Sequence, residues 1–345
     1  MFWTLIFAAA GEYLFGKRKP VRTSFYNIGF PLESFYPCSL FPFSIQQMIL
    51  SRLLRKPTIA FKKHIIPFAD GVNCRLDVVT ADASKQSKKL IVFSPGFSGS
   101  IESPYCHHMA KVALASGYSM VVYNRRAHIY DSVSSTYPLH YDESDLKDVI
   151  TWIKAEFPDY ELYGIGVSSG GNMLMKYAGD AADKCVFKSV VSVCNGLDIN
   201  HVIEQCETFP LVNKLITNFT RQVLDNVENG GHTFAPSVKE MSQLEHNALF
   251  AINGTKQHMP DYYESMSSIK VIRNITVPTL CICSDDDILF RHSHEYYLNM
   301  IQANPLISVL ITSHGGHTGY VDRSFGCDWW CRNALTYIEG PKIIM

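Results

Sequence analysis

Six short apolar runs, separated by stretches with helical spacing, organise this chain. The runs are Lys89–Phe93, Tyr118–Tyr123, Leu162–Val167, Phe187–Cys194, Val277–Cys283 and Ile307–Thr312. Each is bounded by turn residues and has the length of a buried strand. Between them, Tyr105–Ala115 and Asn172–Ala178 read as helices, and Asp142–Phe157 places Leu146, Val149, Ile150 and Ile153 on one helical face. Ser293–Ala303 follows the same pattern, and Asp328–Ile338, with Trp329 and Trp330, closes the chain as a helix. Strands alternating with helices predict an α/β fold, a mostly parallel central sheet with crossover helices on both faces.

Three stretches break the alternation. Residues 60–79 hold two β-prone runs around Asp70-Gly71, a hairpin signal. Residues from Asn195 to about Asn274 form a long insertion rich in helix formers, expected to lie as a helical lid over a pocket, with a simple structural cap as the alternative. Residues 23–59 read as an extended arm followed by a helix over Ser44–Leu54, with Ser44 as its cap, and residues 60–345 as the main domain.

The first 22 residues read differently. Phe2–Ala10 is apolar and continues through Phe15 to the basic cluster Lys17-Arg18-Lys19. A membrane span needs about 20 apolar residues, and Glu12 would be costly at mid-membrane. There is no positive leader of a secretory signal. A short anchor, or a segment lying in the membrane interface, is expected. Packing on the protein's own surface is the alternative. If it inserts, Lys17–Arg22 and the body fall on the cytoplasmic side.

Composition narrows the classes. Of 345 residues 47% are hydrophobic and 18% charged, which excludes a disordered chain. A formal charge of −1 gives no electrostatic reason to expect nucleic acid. Residues 1–64 carry nine Lys or Arg against Glu12 and Glu33, a basic segment suited to an anionic membrane face. Ten cysteines show no framework spacing and read as buried free thiols. Glycosylation sequons begin at Asn218, Asn253 and Asn274, and would matter only in a lumenal body.

The candidate chemistry sits at strand ends. Gly166-Val167-Ser168-Ser169-Gly170 is G-x-S-x-G between a strand and a helix, where a serine is exposed on a tight turn, making Ser168 a candidate nucleophile. Such a pattern also occurs in plain Gly- and Ser-rich turns, so its context decides. Upstream, Lys89–Phe93 runs into Ser94-Pro95-Gly96-Phe97-Ser98-Gly99-Ser100, and the amides of Phe97 and Ser169 are the candidate oxyanion donors. Downstream, Val277–Cys283 ends in Ser284-Asp285-Asp286-Asp287. Asp287 is the candidate acid and Asp286 the alternative; calcium binding by the three carboxylates lacks EF-hand spacing. His317, in His314-Gly315-Gly316-His317, is the candidate base, and His314 reads as a surface or supporting residue. Cys106-His107-His108 has no ligand-spaced partner set, so no metal and no cofactor are expected.

With these motifs in order the chain resembles the α/β-hydrolase superfamily, and more narrowly the AB hydrolase 4 family of membrane-associated eukaryotic proteins and YheT-like bacterial relatives. Ser94–Ser100 with Tyr105, Gly117-Tyr118 to Asn124-Arg125-Arg126, Gly166–Asn172, Asp261-Tyr262-Tyr263 and Gly315–Tyr320 carry the resemblance, over about residues 45–340. Ala127 stands where the family usually has Gly. The resemblance implies ester hydrolysis of lipid-like substrates, and often an N-terminal anchor. The leading expectation is a serine esterase acting on acylglycerol, phospholipid or a smaller ester. Apolar residues of the loops and lid (Phe97, Phe209, Leu211, Phe219, Phe250) would receive the acyl chain. An acyltransferase with the same residues, and a non-catalytic lipid-binding protein on the same scaffold, are the alternatives.

Overall fold

The computed structural model describes residues 21–340 apart from 55, 83, 85–86, 131–133, 228–240, 255 and 291. The apolar run and most of the basic cluster expected to meet a membrane lie outside the described residues. Among the described residues no helix is long and apolar enough to cross a membrane.

One sheet runs through the molecule. Its strands are β1 (Thr23–Tyr26), β2 (Lys62–Pro67), β3 (Asn73–Val79), β4 (Lys89–Ser94), β5 (Ser119–Asn124), β6 (Glu161–Val167), β7 (Phe187–Val193), β8 (Thr279–Ser284) and β9 (Ile307–Thr312). They lie in the order β1-β9-β8-β7-β6-β4-β5-β3-β2. From β5 across to β9 all neighbours are parallel, while β1, β2 and β3 pair antiparallel at the edges. Leu90 and Val92 face one core and Ile91 and Phe93 the other, the period-two alternation of a sheet buried on both sides.

The helices are α1 (Ser44–Leu53), α2 (Pro104–Ala115), α3 (Glu143–Glu156), α4 (Ser169–Ala181), α5 (Ile199–Thr208), α6 (Pro210–Leu224), α7 (Met241–Ala251), α8 (Met259–Met266), α9 (His294–Ala303) and α10 (Trp329–Glu339). Helices α2 and α10 pack on one face; α3, α4 and α9 pack on the other. Asp142 caps α3 by accepting from the amides of Ser144 and Asp145.

Two details differ from the sequence reading. The arm contains β1, whose four residues pair with β9 from Thr23↔Thr312 to Tyr26↔Val309. And α1 is preceded by Phe43 at its cap position, so Ser44 is its first helical residue and not its cap. In the insertion, α5 to α8 share a small core of their own, including Ile203, Val223, Leu244 and Tyr263. Asn253 ties this unit to the loop after β5, accepting from the Tyr137 amide at 2.8 Å and donating to its carbonyl at 2.9 Å.

Strand order sets the site. The chain steps from β4 outward to β5, then restarts at β6 and proceeds the other way to β9. The loops after β4 and β6 therefore diverge, leaving a crevice at the strands' carboxyl ends.

Candidate active site

Strand β6 delivers Ser168 into that crevice on a strained turn. Its φ of 55° and ψ of −122° are unfavourable for a residue with a Cβ, costing about 1–3 kcal/mol. The turn is held because Ser168 N–H donates to Val193 O at 2.7 Å and because neighbouring backbones pack too closely for side chains. A Cβ on Gly166 would lie 2.4 Å from Gly170 O, and one on Gly170 would lie 2.2 Å from Ser94 O. Both glycines of the motif are thus required by close approach.

His317 arrives on the loop after β9, its Nε2 3.1 Å from Ser168 Oγ. Its Nδ1 donates to Asp287 Oδ2 at 2.9 Å. That tautomer leaves Nε2 able to accept the serine proton. Asp287 is 2% exposed, and its other oxygen accepts from the amides of Leu289 at 2.8 Å and Phe290 at 3.2 Å. The carboxylate is thereby fixed in place, and the Phe290 ring meets the imidazole edge-on at 4.8 Å.

The three adjacent aspartates diverge. Asp285 pairs with His294 at 3.1 Å. Asp286 accepts from the Ser284 hydroxyl, and at 2.8 Å from the Gly316 amide, so it grips the loop that carries His317. Among the described residues the one cluster of metal-ligand type is Cys194 with Asp287 and His317. Burial pushes the Cys194 thiol well up, and its sulfur accepts from the Thr318 amide at 3.4 Å. Metal binding needs the thiolate, so these partners fit a hydrogen-bonded thiol better. All ten cysteines are free, nine of them buried. His107 packs edge-on against Phe61, and His314 is buried with Nδ1 2.9 Å from the Ser313 hydroxyl.

Of the two candidate oxyanion donors, Ser169 opens α4, where the first amides have no intrahelical acceptor. Phe97 follows Gly96, on which a Cβ would stand 3.2 Å from that of Ser168, so this loop lies directly against the serine.

Two cavities meet at Phe97. One, of about 70 Å³, is lined by Ser168 with Leu197, Ile203, Ile216 and Leu289, the middle two from α5 and α6. The other, of about 240 Å³, is mixed in character and borders Arg52, Ser98, Tyr105, His108, Thr318 and Trp330. Phe219 lines the larger one, and its ring also lies under the Arg52 guanidinium. Phe209 and Phe250, expected in the acyl pocket, are instead 46% and 58% exposed. They lie on positions of the insertion that face outward, a distinction the helical period alone does not make. The Leu211 side chain is outside the described residues.

Sequence reasoning missed Arg125. It is buried and its Nη2 donates to Ser169 Oγ at 2.9 Å. The signal was an arginine two residues after the apolar run that ends at Tyr123.

Comparison with known proteins bears on the fold and the family. Phospholipase ABHD3 of Bos taurus is 27% identical over 311 residues, covering 84% of this chain and 74% of that protein. The medium-chain fatty acid ethyl ester synthase/esterase 2 of Saccharomyces cerevisiae is 27% identical over 266 residues, covering 68% of this chain and 58% of its own length. Among solved structures, the Pyrococcus furiosus esterase Pf2001 superposes with a TM-score of 0.54 at 14% identity, covering 89% of this chain and 97% of that one. Residues 89–269, more than half of the sequence, match the family described as alpha/beta hydrolase fold, and the chain belongs to that family.

Proposed function

We propose that the protein hydrolyses carboxylic esters of lipids, with Ser168 as nucleophile, His317 as general base and acid, and Asp287 orienting the imidazole. The observation that carries this reading is the continuous chain of hydrogen bonds, Asp287 to His317 to Ser168, ending on a strained serine in the crevice. As Ser168 Oγ attacks the acyl carbonyl, His317 Nε2 takes its proton and Asp287 stabilises the resulting cation. The Phe97 and Ser169 amides bind the oxyanion, each such bond contributing about 2.7–4 kcal/mol in the transition state. The protonated histidine then releases the alcohol, and water clears the acyl-enzyme by the same steps. The chain's residues supply every proton transfer without a cofactor.

The apolar cavity beside Ser168 supports a hydrocarbon acyl group, and the names of the phospholipase and esterase relatives support a lipid ester. Acylglycerol and phospholipid substrates of short to medium chain length fit this reading. Residues 1–22, in the same reading, hold the enzyme at a membrane surface with its body on the cytoplasmic side; removing them should release it from membranes in fractionation. The decisive experiment is Ser168→Ala, expected to lower ester turnover on the order of 10⁴-fold or more. It should also abolish fluorophosphonate labelling. Undiminished turnover would sink the assignment, and an unlabelled wild type would favour a non-catalytic lipid binder. The name of the yeast relative, both synthase and esterase, favours one second reading, transfer of the acyl group to an alcohol. Product analysis with and without added ethanol separates the two.

A further inference from the structure

The mechanism above leaves one buried cation unused. Arg125 leaves the end of β5 and is 4% exposed. Its neighbour Arg126 is neutralised by Asp145 and by Asp70 at 2.8 Å. Among the described residues Arg125 has no carboxylate partner. Its Nη2 donates to Ser169 Oγ at 2.9 Å and to His128 Nε2 at 3.0 Å, and its Nε finds no acceptor. The Arg126 carbonyl lies 2.9 Å from His128 Nδ1 and sets the tautomer. Burial and the adjacent guanidinium hold that imidazole well below its usual range, so it is neutral.

The groups that act most on the guanidinium are Tyr123 on β5, Tyr105 on α2, Tyr137 on the loop before α3 and Tyr262 on α8; beside Tyr137 and Tyr262 lies the buried Glu245 carboxylate of α7, 2.9 Å from His140. Burial raises each of these phenols, Tyr105 to about 12, so all are uncharged near neutrality. The positive charge therefore has no carboxylate in contact with it in the resting protein. A buried charge without a counter-ion is costly, and replacing one by an apolar residue of similar size is often neutral or stabilising. Its placement is informative, because one of its two hydrogen bonds goes to the side chain of Ser169, whose amide is a candidate oxyanion donor.

We propose that Arg125 is a positioning residue that acts through Ser169, holding that residue in place and directing its buried positive charge at the oxyanion formed at Ser168. The proposal rests on Ser168 being the nucleophile. Negative charge develops there only during reaction, so the interaction strengthens in the transition state and governs kcat more than KM.

The test compares Arg125→Met, Arg125→Lys and Ser169→Ala with the wild type on a short-chain p-nitrophenyl ester, together with urea unfolding. Arg125→Met should lower kcat about 10- to 100-fold with KM nearly unchanged, while the urea midpoint holds or rises. Arg125→Lys should recover part of kcat. Ser169→Ala should lower kcat comparably, and the double variant should lose no more than Arg125→Met alone. Unchanged kcat in Arg125→Met or in Ser169→Ala overturns the proposal. So does a fall of kcat and midpoint together with no rescue by Lys, the signature of a merely structural arginine. If the Met variant does not fold, Ser169→Ala decides alone. Failure of the nucleophile assignment shows separately, as wild-type turnover that survives Ser168→Ala.

Discussion

Asp286 and Asp287 are adjacent, and one residue of turn separates their tasks. Asp287 reaches the imidazole, whereas Asp286 holds the backbone of the loop behind it through Gly316. Under the proposed mechanism, Asp287→Asn leaves the fold intact but favours the wrong histidine tautomer, and should lower kcat on the order of 10⁴-fold. Asp286→Ala instead strands the Gly316 amide, which should cost about 1–3 kcal/mol of stability with a smaller fall in kcat. Paired kcat and urea measurements on the two variants distinguish the roles, and equal losses of kcat would contradict them. Position after the strand was enough to rank Asp287 first. The task of Asp286 was not legible, because its partner lies 30 residues away and is a backbone amide, which carries no sequence signal. Ala127, where the resemblance to the family implied Gly, has a φ of 59°, a left-handed position that glycine adopts more easily.

At the scale of elements, the central strands and helices were legible because parallel strands buried on both faces must be apolar throughout. The edges were not. Strand β1 is four residues long, too short for any period, and is defined by pairing with β9 almost 300 residues later. Helix α1 was visible as a helix, but its place was not: it packs against the loop that bears His317. Gln47 is fully buried, accepting from the Val321 amide at 2.7 Å and donating to Phe41 O at 2.6 Å. A Cβ on Gly316 would lie 2.7 Å from Ser44 O, so that loop and the helix are in direct contact. The arm is thus part of the site and not a tether to it. Gln47→Leu should cost about 1–3 kcal/mol by leaving the Val321 amide unpaired. It should also lower turnover by loosening the histidine loop. A variant that is destabilised with unaltered kcat would show that α1 supports the fold alone.

For the whole molecule, the buried charge beside the site carries a consequence in acid. An unfolded histidine titrates near 6.5, whereas His128, buried against Arg125, titrates well below that value. Between the two values the unfolded chain binds a proton that the folded chain does not, so stability rises with pH across that window and is lost as pH falls below about 6.5. The loss approaches about 1.4 kcal/mol per pH unit for each such group. His107, His108 and His292 are shifted the same way by burial, so the total acid loss belongs to several groups. A difference measurement isolates one of them. His128→Gln keeps an acceptor for Arg125 but cannot titrate, so the stability lost between pH 7 and pH 5 should shrink relative to the wild type. In Arg125→Met the repulsion is gone and His128 titrates closer to its free value, so the same loss should shrink by a smaller amount. Urea midpoints at the two pH values measure both, and parallel pH profiles for all three proteins would mean that His128 is not held neutral by its burial beside Arg125.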